Sequence, residues 1–172
     1  TPILDVLAGS LLRARQDQLV AVAVLLALIP PFVSQAGALG GIFASRTASK
    51  LQIGVITARG LPEIPALVDA SIVSALSLAV FAMVGVVAFV LGVATDLVGM
   101  PSFQALVGGT ILSGLVVTPI TLVASYYLAI GTFRFGLDPD NQSVPIITSA
   151  MDLAGVATVL FVMTSLGVLP NG

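Results

Sequence analysis

The chain has 172 residues, of which 58% are hydrophobic and only 8% are charged, with a formal net charge of −2. Its mean hydropathy is +1.16. Soluble domains carry about 25% charged residues, so the sequence excludes a water-soluble globule. The absence of Cys and His excludes disulfides, thiolate or imidazole metal sites and histidine-based catalysis. No basic run indicates nucleic-acid binding. We therefore predict an integral membrane protein that is not an enzyme.

Four apolar runs approach or exceed the roughly 20 residues that a helix needs to cross a bilayer. A secretory signal peptide has one short apolar core, so four runs exclude it. The runs are Leu19–Phe32, continuing with weakly polar residues to Ala44, then Ala66–Ala94, Phe103–Gly131 and Val144–Leu169.

The opening segment, Thr1–Leu12, is apolar apart from Asp5 and precedes a polar break at residues 13–18. A helix of that length spans only about 18 Å, too short to cross. Two interpretations stay open, a surface helix or the last part of a spanning helix, and we favour the second.

The next segment contains Pro30 and Pro31, followed by Gly37, Gly40 and Gly41. Proline removes a backbone donor and clashes with the preceding turn, which predicts a kink or a break between residues 29 and 41. A broken helix would have to face protein or a wet cavity, whereas a simple proline kink would not.

Turn residues separate the later helices. Ser102 is predicted to cap a helix that ends near Tyr126 and Tyr127, whose rings favour the headgroup level of a bilayer. Pro139 suits the first turn of the last helix. Connections are predicted at residues 61–65, 95–101 and 133–137.

Basic residues are distributed unequally between alternate connections. One side receives Arg13 and Arg15, and the other receives a larger group: Arg46, Lys50, Arg59 and Arg134. The richer side is predicted to be cytoplasmic. The residues of this group between 46 and 59 are interpreted as a membrane-edge anchor, or else as charges that repel cations.

Asp152 lies well inside an apolar helix. A carboxylate at that depth costs several kcal/mol unless it meets a cation, a partner or water, so we predict that it is functional. The alternative is an acid that is hydrogen-bonded to a neighbouring helix or protonated. Asp69 and Asp96 fall near helix ends and are predicted to be solvated or capping.

The neighbours of Asp152 support an ion site. Thr148 lies one turn earlier on the same helical face, and Ser149 and Gly155 lie three residues away on either side. Pro145 frees the carbonyl of Asn141 from its helical partner. Mg²⁺ keeps several waters and binds through one or two carboxylates, which one Asp per chain would supply in a two-fold dimer.

Two blocks of residues carry a resemblance. Residues 29–46 read IPPFVSQAGALGGIFASR, and residues 136–145 read GLDPDNQSVP and precede Thr148, Ser149, Asp152 and Gly155. These blocks resemble the second and fifth helices of the membrane domain of the MgtE-type magnesium channels and transporters and their eukaryotic solute-carrier relatives. The resemblance covers essentially the whole chain.

The resemblance implies an all-α integral membrane fold. It implies a bundle of five transmembrane helices, with the first incomplete here and the second and fifth kinked, that works as a homodimer in the cell membrane. The loops with Arg59 and Arg134 would be cytoplasmic. Residues 1–172 would form a single transmembrane domain without the soluble regulatory domains of bacterial members.

The resemblance also implies transmembrane transport of divalent cations, with Mg²⁺ as the expected ion. Asp152 matches the acid that faces the hydrated ion, and Thr148 matches a position whose carbonyl faces the same ion. The predicted metal site comprises Asp152, Thr148, Asn141 and Gly155, and the predicted pore lining adds Gly37, Ala38 and Ser149.

One position departs from the family pattern. The family commonly has Asn after the glycine of the second helix, whereas Gly37 is followed here by Ala38. A pore-facing polar group is therefore missing, and a transport-inactive structural or regulatory membrane subunit is the alternative function.

Overall fold

The computed structural model describes residues 23–96, 100–137 and 139–168, with the backbone alone at residues 23 and 139–141. Within these ranges the chain forms four helices and no strand. In chain order they are α1 (Ala23–Gln52), α2 (Ile64–Ala94), α3 (Phe103–Arg134) and α4 (Pro139–Ser165).

All four helices are long and apolar enough to cross a membrane, which confirms the prediction of a multi-pass helical protein. A bilayer core offers no hydrogen-bond partners, and a helix satisfies its own backbone groups. The predicted incomplete first helix, at Thr1–Leu12, lies outside the described residues, so the five-helix bundle stays a prediction.

α1 runs without interruption through Pro30 and Pro31 and past the glycines that follow. Of the two outcomes predicted for this segment, the break does not occur. Each proline removes one backbone donor, a local loss within a helix of 30 residues. The kinks predicted for this helix and for the last one stay predictions.

Two predicted helix ends are wrong. α3 continues beyond Tyr126 and Tyr127 to Arg134. Residues 128–134 contain no proline, and the single glycine among them, Gly131, does not interrupt the helix. α4 ends at Ser165, earlier than Leu169, and Gly167 adopts a positive φ of 68° directly after it. Two predicted starts are confirmed: α4 begins at Pro139, and the hydroxyl of Ser102 caps α3 by accepting from the backbone N of Ala105 at 3.2 Å.

α1 and α3 form the centre of the bundle. α2 and α4 each pack against both of them, and in the described part of the chain α2 and α4 do not touch. Small residues allow the close approaches, as they commonly do between membrane helices. At Gly85, for example, a Cβ would lie 3.1 Å from the Cα of Val107. Among the described helices, α4 therefore contacts only α1 and α3.

The outer face of α2 is apolar and exposed. Its most exposed large side chains, each more than half accessible, are Ile64, Leu67, Val68, Ile72, Met83, Val90, Leu91 and Val93. A continuous apolar surface of this kind is unusual in a soluble protein. It is the surface expected of a helix that faces lipid.

The connection between α1 and α2 is held by the far end of α3. The hydroxyl of Tyr126 donates to the carbonyl of Leu61 and that of Tyr127 to the carbonyl of Gly60, both at 3.0 Å. The guanidinium of Arg134 donates to the carbonyl of Ala58, at 2.9 Å from Nε. Arg134 and the connection that carries Arg59 therefore lie at the same end of the bundle.

Glu63, which immediately precedes α2, is tied to the same connection. The hydroxyl of Thr57 donates to its carboxylate, and so does the backbone N of Thr57 at 2.9 Å. These hydrogen bonds stabilise the charged form and hold the pKa of Glu63 below its ordinary value, the hydroxyl having the largest effect.

The shared end predicts a topology that labelling can check. Because the chain has no native Cys, single replacements Arg59→Cys and Phe135→Cys are expected to react with an impermeant thiol reagent from one side of the membrane. Thr95→Cys, at the opposite end of α2, should react from the other side. Labelling of residues 59 and 135 from opposite sides would contradict the arrangement of α1 to α3.

Candidate ion site and its charged cluster

A groove of about 510 Å³ runs between α1 and α4 and opens to the outside of the single chain. Three of the residues predicted for the ion pathway line it: Gly37, Ala38 and Thr148. The other lining residues are Gly41, Ile42, Ser45, Arg46 and Val144. The structure therefore brings together two segments that are about a hundred residues apart in the sequence.

Glycines of α1 set the width of the contact with α4. A Cβ at Gly37 would lie 3.3 Å from the Cα of Thr148, so the two backbones almost touch at the groove. Gly40 lies where α1, α3 and α4 meet, and a Cβ there would lie 2.8 Å from Thr121 Cγ2 and 3.0 Å from Ile147 Cγ1. These glycines are required by packing, independently of any ion.

Thr148 directs its hydroxyl toward its own helix. The hydroxyl donates to the carbonyls of Val144 at 3.1 Å and Pro145 at 3.0 Å. Its proton is thus used inside α4, and its methyl group faces Gly37.

Asp152 is half-buried at the middle of α4, equally far from both helix ends. It lies one turn beyond Thr148, a distance of about 6 Å along the axis. It does not belong to the lining of the groove itself. The groove thus leads from one end of the bundle toward the depth at which this carboxylate lies.

The remaining predicted residues have different surroundings. Ser149 is buried. Gly155 is buried against α1, where a Cβ would lie 3.1 Å from Val33 Cγ2, so this glycine allows α1 and α4 to pack closely. Asn141 belongs to the first turns of α4, and its side chain lies outside the described residues.

No three acidic side chains gather into a metal-binding group within the residues that the structure describes. An ion site at Asp152 would therefore use at most one further acidic side chain from this part of the chain.

Asp69 was predicted to be solvated or capping, and this prediction is wrong. The residue is 1% exposed and is paired with two cations of α1. Arg46 Nη2 lies 2.7 Å from its Oδ1, and Lys50 Nζ lies 2.5 Å from its Oδ2. Arg46 and Lys50 lie one turn apart on one face of α1, and the short connection folds α2 back against that face.

The pairing shows that Arg46 and Lys50 also join α1 to α2, while the anchor interpretation of these residues stays a prediction. Lys50 donates to the carbonyl of Pro65 at 2.7 Å, so its ammonium group binds the first turn of α2. Sequence reasoning missed this cluster, although the spacing of four residues between two basic side chains was a usable signal. We call Arg46, Lys50 and Asp69 the charged cluster.

Four helices that are long and apolar enough to cross a membrane, together with an exposed apolar surface on α2, define a multi-pass membrane protein. Residues 29–162 match the model of the MgtE family, described as divalent cation transporters. The match covers well over half of the chain, so the protein belongs to this family and the resemblance is confirmed. The family is one of transporters and not of enzymes. Comparison with curated proteins and with solved structures found no match.

The contact at Gly40 predicts a strong effect of side-chain size. Gly40→Val is expected to destabilise the bundle by about 1–3 kcal/mol, because overpacking forces neighbouring side chains and backbone to shift. Gly108→Val is the matched control, since a Cβ at Gly108 meets nothing within 4 Å. Loss of monodisperse protein after heating, followed by size-exclusion chromatography, measures both. Equal losses would contradict the three-helix contact.

Proposed function

We propose that the protein transports divalent cations, with Mg²⁺ as its main substrate, through a pathway between two copies related by a two-fold axis. Asp152 of each copy would face the partly hydrated ion. The observation that carries the proposal is the groove between α1 and α4, which leads toward Asp152 at the middle of a membrane-crossing helix. Membership of a divalent cation transporter family supports the same function.

The chemistry of the available groups favours a hard, hydrated cation. The chain has no Cys or His, so softer transition metals would lack their preferred ligands. Carboxylate, carbonyl and hydroxyl oxygens suit Mg²⁺, which retains several waters and binds through one or two carboxylates. One Asp152 from each of two copies would meet that demand.

The energetics of Asp152 point in the same direction. A charged carboxylate near the centre of a bilayer is costly unless a cation, a partner or water stabilises it. Two such groups facing each other would repel, and a divalent cation between them would remove both costs. The proposal thus explains why an acid occupies the middle of α4.

Backbone oxygens would complete the contacts to the water shell. The carbonyl of Thr148 is one candidate, because this residue lines the groove. The carbonyl of Asn141 is another, because Pro145 has no N–H to donate to it. Gly37 and Ala38 would form the facing wall, while Ser149 and Gly155 would support the helix from its buried side.

The protein would reside in the cell membrane with the Arg59 and Arg134 end in the cytoplasm. The charge bias of the connections supports that orientation. Arg46 and Lys50 also lie toward this end of α1.

Replacement of Asp152 tests the proposal directly. Asp152→Asn keeps the shape but removes the charge, and we expect Mg²⁺ flux into proteoliposomes to fall by about tenfold or more. A hydrogen bond to a charged group is worth about 1.5–3 kcal/mol, and 1.4 kcal/mol is a factor of ten. Asp152→Ala should have at least the same effect, and Mg²⁺-dependent thermal stabilisation should be lost in both variants.

Two further variants make the test specific. Asp96→Asn makes the same change at the end of α2, where a φ of 49° suits Asn, and it should retain wild-type flux. Thr148→Ala should be less damaging than Asp152→Ala if only its carbonyl is used. Wild-type flux in Asp152→Asn would reject the cation site and favour the structural or regulatory subunit.

Cross-linking tests the assembly. Ala38 is exposed along the groove and Val86 is exposed on α2. If two copies meet at the groove, single Ala38→Cys protein should form dimers with a short bifunctional thiol reagent, and Val86→Cys protein should not. Efficient dimer formation through residue 86, with none through residue 38, would contradict the two-fold pathway.

A further inference from the structure

Arg46 belongs both to the lining of the groove and to the charged cluster. It lines the groove, and its guanidinium contacts Asp69 on α2 at 2.7 Å. Its side chain is 51% exposed, whereas that of Asp69 is 2% exposed. A positive charge therefore lies at the wall of the groove, while the acid that balances it is buried behind the wall.

Arg46 is well separated from Asp152 along the axes of α1 and α4. A Cβ at Gly41 would lie 3.4 Å from Val144 Cγ1, which fixes the level at which α1 and α4 meet there. Asp152 lies about 12 Å from Val144 along α4 in one direction, and Arg46 lies about 8 Å from Gly41 along α1 in the other. A cation using the groove would pass Arg46 near one end and Asp152 at mid-depth.

The charged cluster is not neutral. Arg46 and Lys50 carry two positive charges and share the single carboxylate of Asp69, which leaves a net charge of +1. Lys50 is 22% exposed and bonded to the carbonyl of Pro65, so it is fixed against α2. The residual charge therefore acts where the cluster is most open, at Arg46.

A simple anchoring role does not explain this arrangement. A basic residue that anchors a helix extends toward the membrane surface and needs no buried acid. Burial of a carboxylate is costly and is offset only by well-placed partners. The two basic residues offset the cost of burying Asp69, which lies behind them at the wall of the groove.

We propose that the charged cluster is an electrostatic filter for cations at one mouth of the pathway. Arg46 lowers the local concentration of cations in the groove, and Asp69 acts as a positioning residue that holds Arg46 and limits the net charge to +1. This inference rests on the proposed function, because it assumes that the groove carries the ion.

The expected size of the effect follows from the Coulomb interaction. A unit charge about 10 Å from a divalent ion in water changes its local concentration by about fourfold. The effect depends on salt, since the Debye length is about 30 Å at 0.01 M and about 3 Å at 1 M ionic strength. A filter should therefore weaken strongly between these two conditions.

A charge series tests the filter by measuring Mg²⁺ flux in proteoliposomes at both ionic strengths. Arg46→Gln reduces the cluster to zero and should raise flux about fourfold at low ionic strength. Asp69→Asn raises the cluster to +2 and should lower flux by a similar factor. Both differences should nearly vanish at high ionic strength. An unchanged or lower flux in Arg46→Gln, or differences that persist at high salt, would overturn the inference.

Two controls separate this effect from general surface charge and from misfolding. Arg59→Gln removes a positive charge at the same end of the bundle but outside the groove, and should leave flux unchanged. The double variant Arg46→Gln with Asp69→Asn should restore the flux lost in Asp69→Asn, whereas a purely structural pair would leave it impaired. If Asp69→Asn does not fold, Arg46→Gln decides alone, because it keeps the pair between Asp69 and Lys50.

The failures of the two proposals are distinguishable. Absence of Mg²⁺ flux through the wild-type protein at both ionic strengths would overturn the proposed function and this inference with it. Wild-type flux that responds equally to Arg46→Gln and Arg59→Gln would overturn the inference alone.

Discussion

No water is available inside a bilayer to hydrogen-bond a peptide group, and this constraint governs the whole chain. The four described helices satisfy most of their backbone groups internally, and several of their hydroxyl side chains also bond to the backbone of their own helix. Thr110, Ser113, Thr118 and Thr121 each donate to the carbonyl four residues earlier in α3. A hydroxyl that bonds within its own helix does not join that helix to a neighbour. The helices therefore pack through small residues, and the carboxylates and basic side chains are the remaining strong polar features.

The two acids inside the spanning helices illustrate two responses to that constraint. Asp69 lies near the beginning of α2 and is stabilised by Arg46 and Lys50 of α1. Asp152 lies at the middle of α4, beyond the reach of that cluster. The ion pairs of Asp69 join α1 to α2. Under the proposed function, Asp152 is instead the acid that faces the cation.

The sequence predicted the class and the spans well, because a run of about 20 apolar residues has few alternatives to a membrane helix. It also placed Gly37 with Thr148, through the family resemblance. It failed at Asp69, since hydropathy reports the depth of a residue but not the face that it occupies. The predicted ends of α3 and α4 were also wrong. Tyrosine and leucine residues do not terminate a helix, and the backbone conformation that does terminate it is not visible in the hydropathy pattern.

α1 connects the features on which the proposals depend. Gly40 brings it against α3 and α4, Gly37 forms the wall of the groove, and Arg46 links the groove to Asp69 on α2. A shift of α1 relative to α4 would change the width of the groove at Gly37 and the position of Arg46 together. In the proposed pathway, the glycines on this helix would therefore set the width and its basic residues the charge.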